Sequence, residues 1–420
     1  MRIWVYASGE PLPAADRQVR LLRAGNLCRH LQAAGHEVFW WTSSFDHIRK
    51  RQLGEPELAN AGLALRLVHA PGYRANFGFA RLFDHAVLGW RFWRQAIKAL
   101  DRPDVIWCCY PPMETAVAAV CIGKRFAVPV VLDVRDLWPD AFLDALPAAA
   151  SGVARLMLLP YFKASAFALR NASALVGVTE PYLQWAVQRA GRATGQFDRC
   201  FPMGYPDFSV EATAAAQAQA FWAQRGVSAG NFNLCFFGTL GLQFDIDTVL
   251  RAAALLEQRA SPARFVMCGS GSALDAYRQQ ASGLGNVLFP GFVDVPEIKA
   301  LMDLSAVGLA PYRDIENFQL NIPNKVFEYA AGSLPVLSGV DGEVGRLLRS
   351  QGIGHVYRAG DANALADLVE RLASDRPSLQ AQGARARALF SREYDSSVVS
   401  ARIESHLQEL VLSGNSHQRR

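Results

Sequence analysis

At 420 residues, 51% of them hydrophobic and 19% charged, the chain exceeds one ordinary domain and is too apolar to be disordered; soluble domains carry about 25% charged residues. The net charge of +5 is uneven: residues 1–200 hold 24 Lys and Arg against 16 Asp and Glu, the remainder 19 against 22. A basic front half predicts an anionic neighbour, and the small total disfavours a nucleic-acid partner.

The opening "MRIWVYASGEP" has no apolar core of a signal peptide, and no uncharged apolar run reaches about 18 residues. A cytoplasmic chain without a membrane span is the expectation. Seven cysteines, at 28, 108, 109, 121, 200, 235 and 268, show no CxxC pair, and most lie in strand-like runs. They read as buried reduced thiols.

The pattern alternates from end to end. Strands are predicted at "RIWVYA", "EVFWWT", "LALRLV", "DVIWCC", "PVVLDV" and "ALVGVT", with helical spacing between them, as over residues 16–34. After residue 200 the scheme repeats with "FNLCFFG", "RFVMCG", "NVLFPG", "AVGLAP" and "PVLSG". Uniformly apolar strands separated by helices imply parallel sheets covered on both faces, and here two of them in succession. The prolines and glycine of "CFPMGYPDF" mark the boundary, giving domains over 1–205 and 206–395. The segment "SSVVSARIESHLQEL" has no strand after it, so 396–420 is predicted as a helix packing back on the first domain, with "SGNSHQRR" disordered.

Ligands of open α/β sheets lie beyond the carboxyl ends of the strands, so the loops there are the candidates. After the first strand, Gly9 and Glu10 lead toward a basic helix. In "WWTSSFDHIRKRQ", His47 sits among Asp46, Arg49, Lys50 and Arg51; the plain reading is a solvated basic helix start, the functional one an anionic acceptor. The stretch 69–100 mixes Tyr73, Phe79, Phe83, Trp90 and Trp93 with Arg74, Arg81, Arg91 and Arg94. That suits an interfacial membrane helix or an ordinary amphipathic one. "DVRDLWPD" crowds Asp133, Arg135, Asp136 and Trp138 at a strand end, read equally as a ligand site or a local salt bridge. "FFGTLGLQFD" and "MCGSGSALD" place Gly238, Thr239, Gly241 and Gly269 between strand and helix, although neither is a full dinucleotide fingerprint.

The most specific stretch is "IPNKVFEYAAGSLPVL". With "GEPLP", "GHEVFWWTSSFDH", "DVRDLWPD" and "GTLGLQFDIDTVLRAA", it makes residues 1–395 resemble bacterial glycosyltransferases of family 4, retaining enzymes of the GT-B fold: two Rossmann-like doubly wound domains facing a cleft. The resemblance implies that the carboxylate of Glu328 accepts hydrogen bonds from a ribose diol, and that backbone N–H groups before it face the donor diphosphate. Lys325 would neutralise that diphosphate, aided by Arg313 and Asn324. The chain departs from the family at Leu320, where the first of two paired glutamates is absent, and at Arg135, where many members have histidine.

What the resemblance implies is transfer of a hexose or N-acetylhexosamine from a nucleotide sugar, without metal or other cofactor. Donor-binding residues are then Gly238, Thr239, Gly241, Gly269, Arg313, Asn324, Lys325 and Glu328. The acceptor, a lipid-linked saccharide or oligosaccharide of surface-polysaccharide or lipopolysaccharide assembly, falls to Gly9, Glu10, His47, Arg74 and Asp136. Arg135, Asp136 and Lys325 are the catalytic candidates. An anionic membrane surface is the expected neighbour, at the cytosolic face. An epimerase of the same architecture, acting without acceptor, and a non-catalytic binding protein are the rival readings.

Overall fold

A computed structural model describes residues 1–13, 20–47, 49–54, 62–75, 78–144, 148–241 and 243–418, with side chains for all of these except 144, 148–151 and 415–418. The chain divides into two compact units: Met1–Met203 with Ser396–Arg420, and Gly204–Asp395.

The strands of the first unit are β1 (Arg2–Tyr6), β2 (Glu37–Ser43), β3 (Phe45–Asp46), β4 (Arg51–Gln52), β5 (Ala64–Val68), β6 (Val105–Tyr110), β7 (Val130–Val134), β8 (Ala174–Gly177) and β9 (Arg199–Cys200). β3 and β4 make a short antiparallel ribbon, and the other seven form a parallel sheet in the order β5-β2-β1-β6-β7-β8-β9. β6 and β7 are buried at every position because helices cover both faces, which is why they read as unbroken apolar runs. Helix Met113–Phe126 packs between Phe79–Ala96 and Leu159–Asn171. The opposite face is covered by helix Arg23–Ala33 and by the returning C-terminal helix, whose Val399, Ile403, Leu407 and Leu410 enter one core with Val5, Trp40 and Trp107.

The second unit contributes β10 (Phe232–Phe237), β11 (Ala263–Cys268), β12 (Val287–Gly291), β13 (Val307–Ala310), β14 (Val336–Ser338) and β15 (Gly354–Val356), parallel in the order β12-β11-β10-β13-β14-β15. In both sheets the chain works outward from the first strand and then reverses. The loops leaving β1 and β6, and those leaving β10 and β13, therefore diverge and open a crevice at the strand ends.

Several local expectations need correction. Among the described residues the first helix starts at Arg23, not 16; residues 14–19 lie outside them. The basic stretch after His47 is no helix start but the turn of the β3–β4 ribbon. The last helix runs on to Gln418, through most of the tail expected to be disordered. Cys200 is exposed and Cys121 half-buried, while the other five thiols are buried.

Candidate active site

Helix Asn324–Ala331 follows Pro323, whose φ of −66° and ψ of 152° set the turn into it. The apolar face of the helix would bury Val326, Phe327, Tyr329 and Ala330 in any case. It buries Lys325 and Glu328 as well. Lys325, 8% exposed, donates from Nζ to the carbonyl of Phe237 at the end of β10. The rings of Phe236 and Phe237 lie 4.9 and 5.2 Å from the same ammonium. A Cβ on Gly238 would stand 2.8 Å from Nζ, so the glycine leaves room for the charge.

The second glycine turn has a structural cause. Gly269 is buried with φ +138°, and a Cβ there would overlap the Gly238 carbonyl. Gly238 N–H donates to Cys268 O at 3.1 Å and Leu240 N–H to Ser270 O at 2.9 Å, so the two loops ride directly on each other. From the other side, Arg313 N–H donates to Gln243 O at 3.0 Å and the rings of Phe244 and Tyr312 meet at 4.7 Å. These bonds gather Gly238, Gly241, Gly269 and Lys325 with exposed Thr239 and Arg313 at the ends of β10, β11 and β13. Asn324 is exposed at the helix start.

Glu328, one turn beyond Lys325, is only 5% exposed, and the hydroxyl of Tyr205 donates to its Oε1 at 2.6 Å. Tyr205 was not singled out in the sequence because it lies in the stretch read as a linker.

At the end of β7 the polar cluster resolves into separate pairs. Asp133 is fully buried and meets Arg23 through two hydrogen bonds, at 2.9 and 3.0 Å; Arg23 also donates to the carbonyls of Phe201 and Pro202. Arg135 donates instead to Glu10 Oε1 at 2.5 Å and to Cys109 Sγ at 3.2 Å. Burial works against the Arg135 charge, but Glu10, Cys109 and Asp133 more than offset it and raise its pKa. Glu10 also accepts from Ala24 N–H at 3.1 Å, occupying the start of the helix that follows. Asp136 accepts from Leu137 N–H at 2.9 Å and from the indole of Trp138 at 3.1 Å, and burial pushes its carboxyl above the usual range. It is half-buried.

Trp138 is one wall of a pocket of about 210 Å³ in the first unit, shared with Gly9, His47, Tyr73, Arg81 and His85. Tyr73 hydroxyl donates to His47 Nδ1 at 2.6 Å, and Lys50 Nζ reaches the same nitrogen at 3.3 Å. Burial, with Lys50 and Arg81 adding positive charge, pushes His47 down to about 4. His85 is pushed down to about 3, again by burial first and then by Arg81 and His47. Both imidazoles are thus neutral at neutral pH. Arg74 is exposed next to Tyr73. Of the residues expected to meet an acceptor, the fold brings Gly9 and His47 into one pocket, whose lining does not include Glu10, Arg74 or Asp136.

Residues 22–196 match the glycosyl transferase 4-like domain family, and residues 231–375 match the family described as glycosyl transferases group 1. Phosphatidyl-myo-inositol mannosyltransferase of Mycobacterium leprae (strain TN) is 37% identical over 145 residues, a match spanning 34% of this chain and 37% of that protein's length. Among solved structures, Anabaena HepE in complex with UDP and glucose aligns at 16% identity with a TM-score of 0.67, covering 97% of this chain and 100% of that one. Sucrose-phosphate synthase from Thermosynechococcus elongatus aligns at 19% identity with a TM-score of 0.68, covering 98% and 99%. With one family match on each unit and the same strand order in both parallel sheets, the chain belongs to the family 4 glycosyltransferases of GT-B fold.

Proposed function

We propose that the protein is a retaining glycosyltransferase that takes a sugar from a nucleotide diphosphate and places it on a saccharide acceptor carried by a lipid. The observation that carries this reading is the buried pair on helix Asn324–Ala331: an ammonium at the end of β10 beside Gly238, and a carboxylate one turn later. A diphosphate is matched by the ammonium, by Arg313 and by the N–H groups at the helix start. A ribose diol is matched by the carboxylate, with Tyr205 holding its other hydrogen bond. Thr239, Gly241 and Gly269 complete the donor loops.

In the reaction the bond from the anomeric carbon to the diphosphate oxygen breaks. The acceptor hydroxyl adds to the same face of the sugar, and its proton passes to the leaving diphosphate oxygen. Lys325 and Arg313 stabilise the charge that grows on that oxygen. The reading assigns no metal to this step. Arg135 and Asp136 act from the acceptor side, Arg135 through Glu10 and Asp136 through the set of Trp138.

The lipid-linked acceptor and a membrane-surface location draw support from helix Phe79–Ala96. Phe79 is 81% and Phe83 63% exposed, with Trp90 and Trp93 also exposed near Arg94, whose guanidinium lies 5.2 Å from the Trp90 ring. Among the described residues no helix is long and apolar enough to cross a membrane. Flotation with vesicles containing anionic lipid is expected to carry the protein, and neutral vesicles to leave it behind; equal behaviour with both removes the surface from the proposal.

The direct test is Glu328→Gln. It should weaken binding of the preferred member of a nucleotide-sugar panel that includes UDP-glucose by at least about tenfold, roughly 1.4 kcal/mol, without changing the circular dichroism spectrum. Unchanged affinity would remove Glu328, and with it the donor site, from this reading. The anomeric configuration of the product, read by NMR, separates retention from inversion.

A further inference from the structure

Helix Ala148–Met157 turns an apolar stripe outward. Val153, Leu156 and Met157 follow the i, i+3, i+4 spacing that ordinarily buries one face of a helix. Here they are 67%, 72% and 66% exposed, while Ala154 and Leu158 are half-buried. The helix runs almost unbroken into Leu159–Asn171: Leu158 N–H donates to Ala154 O at 2.8 Å, and Phe162 N–H to Leu158 O at 3.0 Å. The stripe is thus held by the helical layer of the first unit.

Two further observations say what covers it. Among the described residues, nine of the thirteen exposed large hydrophobic side chains lie on helix Phe79–Ala96 or, across helix Met113–Phe126 from it, on helices Ala148–Met157 and Leu159–Asn171. Apolar residues scattered singly are ordinary on a surface, but such a concentration marks a contact. The exposed charges among them have one sign. Residues 78–98 and 152–171 expose Arg94, Lys98, Arg155, Lys163 and Arg170, while their one acid, Asp84, is buried. Large apolar side chains among cations match a bilayer with anionic headgroups. A second copy of the chain, paired through the same patch, would bring these cations face to face.

We propose that Val153, Leu156, Met157 and Leu159 form a second membrane contact, which enters the bilayer interface alongside helix Phe79–Ala96. The apolar side chains sit among the outer acyl segments, about 5–10 Å deep as interfacial helices do. Arg94, Lys98, Arg155 and Lys163 stay at the anionic headgroups. Helices Phe79–Ala96 and Leu159–Asn171 both start at the carboxyl end of the parallel strands, because each returns the chain to the start of the next one. Phe79, Phe83, Met157 and Leu159 therefore lie toward the end of the sheet that carries the pocket of His47 and Trp138. Two contacts fix the tilt of the first unit on the bilayer, where a single helix would leave it free to roll, and they keep that pocket near the headgroups. The proposal rests on the reading that the first unit works at a membrane surface, and it adds the element that enters the lipid.

The test uses the full chain and needs no transfer activity. An environment-sensitive fluorophore is attached to Met157→Cys and, in a second protein, to Gln32→Cys, which is exposed on the helix covering the opposite face of the sheet. Both carry Cys121→Ser and Cys200→Ser, which remove the thiols that are not buried. Vesicles of phosphatidylcholine and phosphatidylglycerol are then added, with and without nitroxide on the acyl chains. The expected result is a blue shift and quenching at the Met157 site, with neither at the Gln32 site. In the unlabelled chain, Leu156→Ser with Met157→Ser should lower the vesicle partition coefficient at least about tenfold. The melting temperature and UDP binding should stay unchanged, because both side chains are already exposed. A label at the Met157 site that remains in water while the protein floats with the vesicles overturns the proposal and leaves helix Phe79–Ala96 as the contact. A dimer in sedimentation without lipid, dissociated by the same double substitution, identifies a second copy as the occupant and also overturns it. Absence of flotation by the unmodified chain removes the membrane-surface reading itself, and this proposal with it.

Discussion

Arg23 and Asp133 show how a charged pair survives at the centre of the first unit. Both side chains are nearly sealed from solvent, and the arginine spends its remaining donors on the carbonyls of Phe201 and Pro202. Removing one partner leaves the other charge buried alone, so Arg23→Met is expected to cost about 3–5 kcal/mol in urea unfolding, with the double change Arg23→Met, Asp133→Leu costing less than the single one. In sequence the cluster at "DVRDLWPD" was visible but its pairing was not. Asp133 and Arg135 are two residues apart in the chain, yet they point to partners 110 and 125 residues away. Lys325 and Glu328 were singled out through the resemblance carried by one short stretch, and the helix that holds both is a local feature of that stretch. The contribution of Tyr205, 123 residues from Glu328, was beyond any local pattern. Gly269→Ala tests the loop contact itself. With φ +138° and a carbonyl in the way of its Cβ, the substitution should destabilise the second unit by about 1–3 kcal/mol in thermal or urea unfolding.

The strands at the middle of each sheet are fully buried and so announced themselves as apolar runs. β9 and β15 did not, because two or three residues at a sheet edge, Arg199–Cys200 and Gly354–Val356, carry no such signal. Helix Ser396–Gln418 closes one face of the first unit. Burying Val399, Ile403, Leu407 and Leu410 is worth about 6–12 kcal/mol together, comparable with the stability of a whole domain. A chain ending at Asp395 should therefore lose the cooperative unfolding of the first unit. The same helix is tied by Glu404, which receives His30 Nε2 at 2.8 Å and His36 Nε2 at 3.0 Å. Burial would raise the Glu404 carboxyl, but the bonds from the two histidines outweigh it and hold the group below its usual range. A carboxyl depressed in the folded state stabilises above its unfolded pKa of about 4.3 and loses that contribution as pH falls through the lower folded value. Glu404→Gln should lower the melting temperature at pH 7 by about 2–4 °C, and its decline below about pH 4.5 should be shallower than that of the unmodified protein.

The chain makes its first unit from both ends of the polypeptide and its second from the middle. The two ends of that middle piece are neighbours: Tyr205 N–H donates to Tyr394 O at 2.9 Å, and Tyr205 pairs in parallel with Asp395. A fragment of residues 204–395 should fold unaided and keep its affinity for nucleotide, measurable by calorimetry against the intact chain. The joined ends also make the insert a removable cartridge. Whoever wishes to exchange this insert for another has a single stitched seam to recut, where the incoming and outgoing backbone already run side by side.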